Sequence, residues 1–208
     1  MSFSFTDEQT EFRSILRRFL ADKSPTTEVR RLMETEDGYD PDIWRQLSQD
    51  LGVMAIHIPE EYGGQGFGFV ELAIVLEEMG RSLLCAPYFS TVVLAATAIL
   101  NAGDEDQKRA LLPPIAAGET RAALAFTEEN GRWDTGGAAM TATAVDGGYQ
   151  LDGVKSYVLD GHTADLIVVL ARAPGSTGDD GLSFFTVAGD ADGMGRRRLQ
   201  GGDDTRKL

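Results

Sequence analysis

The chain has 208 residues, and its 33 acidic against 19 basic side chains leave a formal net charge of −14, a surface that repels phosphate backbones and excludes nucleic acid as a partner. Hydrophobic content of 42% and charged content of 25% belong to a soluble globular protein rather than a disordered one. Cys85 is the single cysteine, so there is no intrachain disulfide and no thiolate zinc cluster; residues 1–20 mix charges without a signal or transit pattern, and a reducing, cytoplasmic location follows as the expectation.

Residues 1–119 read as a helical domain. Thr6-Asp7-Glu8-Gln9 has the spacing of a capping box, in which the hydroxyl takes a free amide and the glutamine reaches back. Phe12, Ile15, Leu16, Phe19 and Leu20 follow at i, i+3, i+4, i+7 and i+8, one apolar stripe. A short helix is predicted over 29–34. Asp40-Pro41 opens another, with proline where its missing amide hydrogen costs nothing, and Gly52 closes it. His57 stands in an apolar run and reads as a satisfied core histidine. Gly63, Gly64 and Gly66 make the next segment irregular; without a strand-then-helix setting it is a turn, not a phosphate cradle. Helices resume over 69–81, where Glu77 and Glu78 read as a solvated edge, and over 88–100. The uncharged stretch 83–102 approaches membrane-span length. Pro87, Ser90, Thr91, Thr97 and Asn101 instead make it a buried helix of a bundle. A last helix starts near Asp104, and Pro113-Pro114 is expected to stop it.

After Glu119 the pattern changes to short strands, predicted over 122–126, 139–145, 149–151, 155–159, 166–170 and 182–187. Asp146-Gly147-Gly148 is a hairpin turn. Helices gathered before strands argue against a parallel βαβ sheet. The predicted fold class is α+β: an N-terminal all-α helical bundle domain, then an antiparallel β-barrel or sandwich middle domain over 120–208. The β-domain is expected to be incomplete at its C-terminal end, because 205–208 resemble the start of a further strand and would leave an open edge. Arg196-Arg197-Arg198 is read as a solvated strand end, and His162 has no companion acid at recognisable spacing.

Three segments carry the chemistry: 58–66 (IPEEYGGQG), 124–134 (LAFTEENGRWD) and 153–172 (GVKSYVLDGHTADLIVVLAR). In that order and spacing they resemble the acyl-CoA dehydrogenase family, flavoenzymes that oxidise acyl thioesters, and the resemblance covers nearly the whole chain. It implies FAD as cofactor and α,β-dehydrogenation of an acyl-CoA substrate of fatty-acid or sterol side-chain type. It also implies a homo- or hetero-oligomer and an electron-transfer flavoprotein-like acceptor; no membrane partner and no metal are expected. The family's catalytic carboxylate generally lies in a C-terminal helical domain that these residues do not reach, so no catalytic residue is assigned.

The family's first flavin loop reads Thr-Glu-Pro-x-Ala-Gly-Ser-Asp; here Thr127, Glu128 and Asp134 match. The resemblance makes Thr127, with the backbone of Phe126, a flavin contact. Trp133 replaces a small serine, and either stacks on a ligand or fills the pocket. The second loop reads Lys-x-Trp-Ile-Thr-Asn-Gly in the family and Lys155-Ser156-Tyr157-Val158-Leu159-Asp160-Gly161 here. Tyr157 keeps the aromatic that packs on a flavin face, and Val158 keeps the β-branched position. Leu159 lacks the hydroxyl that the family's threonine donates, a loss of about 1–3 kcal/mol. Little stable flavin binding is therefore expected from these residues by themselves. The same two departures suit a second class of function, a non-catalytic partner subunit with degenerate flavin loops.

Overall fold

The computed structural model describes residues 4–199 and 201–208; Met1, Ser2 and Phe3 of the N-terminal stretch lie outside them. Helix α1 (Asp7–Lys23) begins in the expected capping box, with Gln9 N on Thr6 Oγ1 at 3.2 Å and Thr6 N on Gln9 Oε1 at 3.0 Å. Its stripe is narrower than predicted: Leu16 and Leu20 are fully buried, whereas Ile15 is exposed. Helices α2 (Thr26–Met33) and α3 (Pro41–Gln49) follow, the latter capped by Asp40 Oδ1. Trp44 on α3 donates its indole N–H to Gly118 O at 2.8 Å.

Helix α4 (Phe69–Arg81) packs against α1 and corrects the reading of its paired acids. Glu77 is solvated, but the Glu78 side chain is 1% exposed and takes a bidentate bond from Arg17 at 2.6 and 3.0 Å. Arg81 adds a contact at 3.4 Å. Neighbours in sequence point in different directions on a helix, and here the second of them points at α1.

The uncharged stretch forms a π-helical segment (Phe89–Ala95) running into α5 (Ala96–Ala102). Its core side is fully buried at Ser90, Thr91, Val92, Ala95 and Ala96, and no helix among the described residues is long and apolar enough to cross a membrane. Helix α6 (Glu105–Ala116) does not stop at Pro113-Pro114. Proline φ suits a helix. The two lost donors are confined to the last turn, where Pro113 O and Pro114 O accept from Ala117 and Glu119. Buried Leu112 and Ile115 hold that turn in place.

The strands are β1 (Ala122–Ala125), β2 (Thr141–Val145), β3 (Gly148–Asp152), β4 (Leu166–Arg172) and β5 (Leu182–Ala188). Their sheet is mixed, not antiparallel, and it is open rather than closed into a barrel: the order is β1-β4-β2-β3, with β5 paired to β4. β1 runs parallel to β4, Ala122 opposite Leu166 and Ala125 opposite Val169, while β4–β5 and the β2–β3 hairpin are antiparallel. No helix is needed for the parallel crossover because the hairpin occupies it. β4, almost continuously apolar, is covered on both faces. One face lies on α5 and α6 through Val168, Ile99 and Ile115; the other packs Ile167 and Val169 with Ala123 and Ala125. The stretch 155–159 is not a strand, for reasons given below.

Candidate cofactor site

The chain leaves β1 at Ala125 and enters the first loop through Phe126, half-buried, and Thr127, buried. The second loop crosses it directly: Ser156 N donates to Thr127 O at 2.9 Å. Beneath that bond lies an ion pair that motif matching left without a role. Lys155 Nζ donates to Glu128 Oε1 at 2.7 Å, with side chains 6% and 10% exposed, and to Phe126 O at 3.4 Å. Glu128 Oε1 also accepts Ala139 N and Met140 N, both at 2.9 Å. Burial works to raise the Glu128 pKa, but Lys155 and the two amides outweigh it and hold the carboxyl below the usual range. One carboxylate thus ties together both loops and the start of β2.

Trp133 does not fill a pocket. It is 82% exposed and meets Phe126 edge-on, ring centroids 5.7 Å apart at 90°. Its loop is held from behind by Arg172, a buried cation spent on backbone carbonyls: Nε on Ala138 O at 2.6 Å, Nη2 on Thr135 O and Gly178 O at 3.1 and 3.0 Å. Asn130 closes the turn on Gly137 O.

The expected strand at 155–159 is broken because Tyr157 has φ 59° and Asp160 φ 53°. A left-handed residue turns the chain out of the β region. Tyr157 consequently presents its ring to solvent, 53% exposed. Val158 packs with the β core, and Leu159 is half-buried.

Of the six residues the motifs nominate, Phe126 and Trp133 touch, and Thr127 lies one backbone bond from the residue before Tyr157. Val158 and Leu159 contribute packing rather than side-chain polarity. The groups present are of the kind a planar heteroaromatic ligand would use: exposed aromatic surface on Tyr157 and Trp133 and a hydroxyl at Thr127, with no polar side-chain atom at Leu159. These side chains line neither of two hollows found elsewhere among the described residues. A cavity of about 880 Å³ lies between α5, α6 and the sheet, lined by Ile99, Leu111, Leu151, Val168 and Phe185. A polar one of about 500 Å³ lies at Arg121, His162 and Arg196.

The histidines stay outside this wall. His57 is buried with Nε2 3.3 Å from Thr97 Oγ1, yet its Nδ1 has no partner, so it is a core histidine only half satisfied. His162 Nε2 meets Asp37 O at 3.2 Å. The glycine turn is structural, since a Cβ on Gly64 would fall 1.8 Å from Ile58 O. Arg196, read as a solvated strand end, lies in no strand and donates to the carbonyls of His162, Ala164 and Gly189.

Residues 6–119 match the model of the acyl-CoA dehydrogenase N-terminal domain, and residues 123–206 that of the acyl-CoA dehydrogenase middle domain. The chain is 32% identical over 188 residues to the mitochondrial isovaleryl-CoA dehydrogenase of Arabidopsis thaliana, covering 89% of this chain and 46% of that protein. It superposes on butyryl-CoA dehydrogenase from Megasphaera elsdenii with a TM-score of 0.86 at 28% identity, covering 100% of this chain and 55% of the other. The ChsE4-ChsE5 complex of Mycobacterium tuberculosis gives a TM-score of 0.81 at 28% identity, covering 96% and 52%. The chain therefore spans about half the length of the relatives it matches.

Proposed function

The chain belongs to the acyl-CoA dehydrogenase family, and we propose that it supplies one wall of the flavin site in an FAD-dependent enzyme that dehydrogenates an acyl-CoA thioester between its α and β carbons. The observation that carries this reading is the Ser156–Thr127 backbone bond, which sets the two motif loops side by side over the Glu128–Lys155 pair. Bound FAD supplies a hydride acceptor. Tyr157 would pack on one face of the ring system, Thr127 and the backbone of Phe126 would bond its edge, and Trp133 would stand at the rim. Glu128 and Lys155 keep the two loops at fixed spacing, which is what alignment of reacting carbons requires. Proton abstraction belongs to a carboxylate outside these residues.

The acyl group is of fatty-acid or sterol side-chain type, the assembly is a homo- or hetero-oligomer, and a flavoprotein of the electron-transferring kind takes the electrons in the cytoplasm. Quenching of FAD fluorescence by the purified chain tests the cofactor reading. Weak, saturable quenching, reduced about tenfold or more in Y157A, is the expected result. Absence of saturation, or a Y157A variant that binds as the parent does, refutes it.

Leu159 favours a second reading, a non-catalytic partner subunit. The longest natural form of the protein decides between them. Yellow on purification by itself and bleached by acyl-CoA, it is the enzyme; colourless until mixed with a paralogue, it is the partner.

A further inference from the structure

Tyrosine gains nothing locally from left-handed backbone, so contacts outside the loop must hold Tyr157 there. Those contacts converge on Asp160, the second left-handed residue of this loop. It is 7% exposed, and its carboxylate accepts the Ser90 hydroxyl at 2.8 Å from the π-helical segment. Ser90, fully buried, also meets Pro87 O at 3.0 Å. The Asp160 amide donates to Lys207 O at 2.8 Å. That C-terminal stretch is itself pinned to the helices: Lys207, 2% exposed, donates to Met33 O at 2.6 Å, and Arg206 donates to Ala86 O. Asp160 is thus tied to the helical layer twice, directly through Ser90 and indirectly through residues 206 and 207. Burial pushes its carboxyl pKa up, and Arg206 and the Ser90 hydroxyl offset that only in part.

We propose that Asp160 is a positioning residue, and that the Ser90–Asp160 hydrogen bond is the joint through which the helical layer fixes the Tyr157 ring for a planar ligand. The ligand's identity rests on the cofactor reading above; the joint rests on the geometry. Gly161 N on Val158 O and Thr163 N on Asp160 O close the loop on itself; the Ser90–Asp160 bond is the side-chain contact that joins it directly to the helices.

The test compares amide hydrogen exchange over 156–161 in the parent chain, S90A and D160N, together with FAD fluorescence quenching by each. The D160N variant keeps an acceptor for the Ser90 hydroxyl and tolerates left-handed backbone. S90A is expected to speed exchange of the loop amides about tenfold or more and to weaken FAD binding by a similar factor, the scale of one buried hydrogen bond. Amides of β4 stay protected. D160N remains within about threefold of the parent on both readings. Unchanged loop exchange in S90A overturns the joint, and a released loop with unchanged FAD affinity overturns the positioning role. Should S90A fail to fold, D160G gives the same reading, because it adopts left-handed backbone freely and lacks the acceptor. A parent chain that never quenches FAD refutes the cofactor reading; the joint is then decided by exchange.

Discussion

Replacing Lys155 with methionine keeps an unbranched apolar stem and removes the ammonium. The Glu128 carboxylate, 10% exposed, then retains the Ala139 and Met140 amides and no cation. Removing one partner of a buried pair costs about 3–5 kcal/mol, and the two surviving amides place K155M at the low end, about 3 kcal/mol. With a urea slope of about 2 kcal/mol/M, the unfolding midpoint falls by about 1.5 M. Two tryptophans report the transition from different places: Trp44 in the helical core and Trp133 on the loop the pair secures. The double variant E128Q/K155M carries no charge and keeps an amide oxygen for both backbone donors, so it recovers to within about 1 kcal/mol of the parent. The sign of the pH dependence follows from Glu128 being held below its ordinary range. In the parent the pair's contribution is complete above the ordinary glutamate pKa and is lost as pH falls through the lowered one. In K155M burial dominates, the carboxyl protonates sooner, and the gap to the parent narrows in acid. A K155M variant within about 1 kcal/mol of the parent at neutral pH, or a double variant weaker than the single, refutes the reasoning.

A methyl group at Gly64 meets backbone, Ile58 O at 1.8 Å and Ile58 C at 2.3 Å, so G64A loses about 3 kcal/mol or more in urea unfolding. G147A, at φ 83° in the β2–β3 turn with open space around it, loses only about 1 kcal/mol; equal losses would remove the steric account. Burial lowers the His57 pKa, so its neutral form belongs to the folded chain. Its contribution is complete above about pH 6.5 and lost as pH falls through the lowered value. H57F should remove that slope from stability measured across mildly acidic pH, and an unchanged slope would locate the titration elsewhere.

What could be read from the sequence was what depends on near neighbours. The Thr6–Gln9 capping box, the Asp40-Pro41 start and the Gly147 turn are set within four residues, and each stands where the spacing put it. Glu78 was misread because its partner Arg17 is 61 positions away. The position of 155–159 between Gly/Asp-rich turns suggested a strand, yet Tyr157 and Asp160 are turned left-handed with no glycine at either position. The parallel β1–β4 pairing was hidden because the usual helical crossover is replaced by a hairpin. The motif loops were legible as a pair, but the Glu128–Lys155 bond and the buried Arg172 behind the Trp133 loop appear only once the chain is folded.

The order of the strands has a kinetic consequence. β1 is made about forty residues before β4, its partner among the described strands, and closing so long a loop is slower than closing the local β2–β3 hairpin. Meanwhile β1 already has a mooring. Thr91 Oγ1 both accepts from Ala122 N at 3.0 Å and donates to Ala122 O at 3.1 Å, giving the strand's first residue its two bonds from the π-helical segment. A nascent chain can therefore park β1 on finished helices, its edge partly satisfied, until β4 leaves the ribosome and zips onto it.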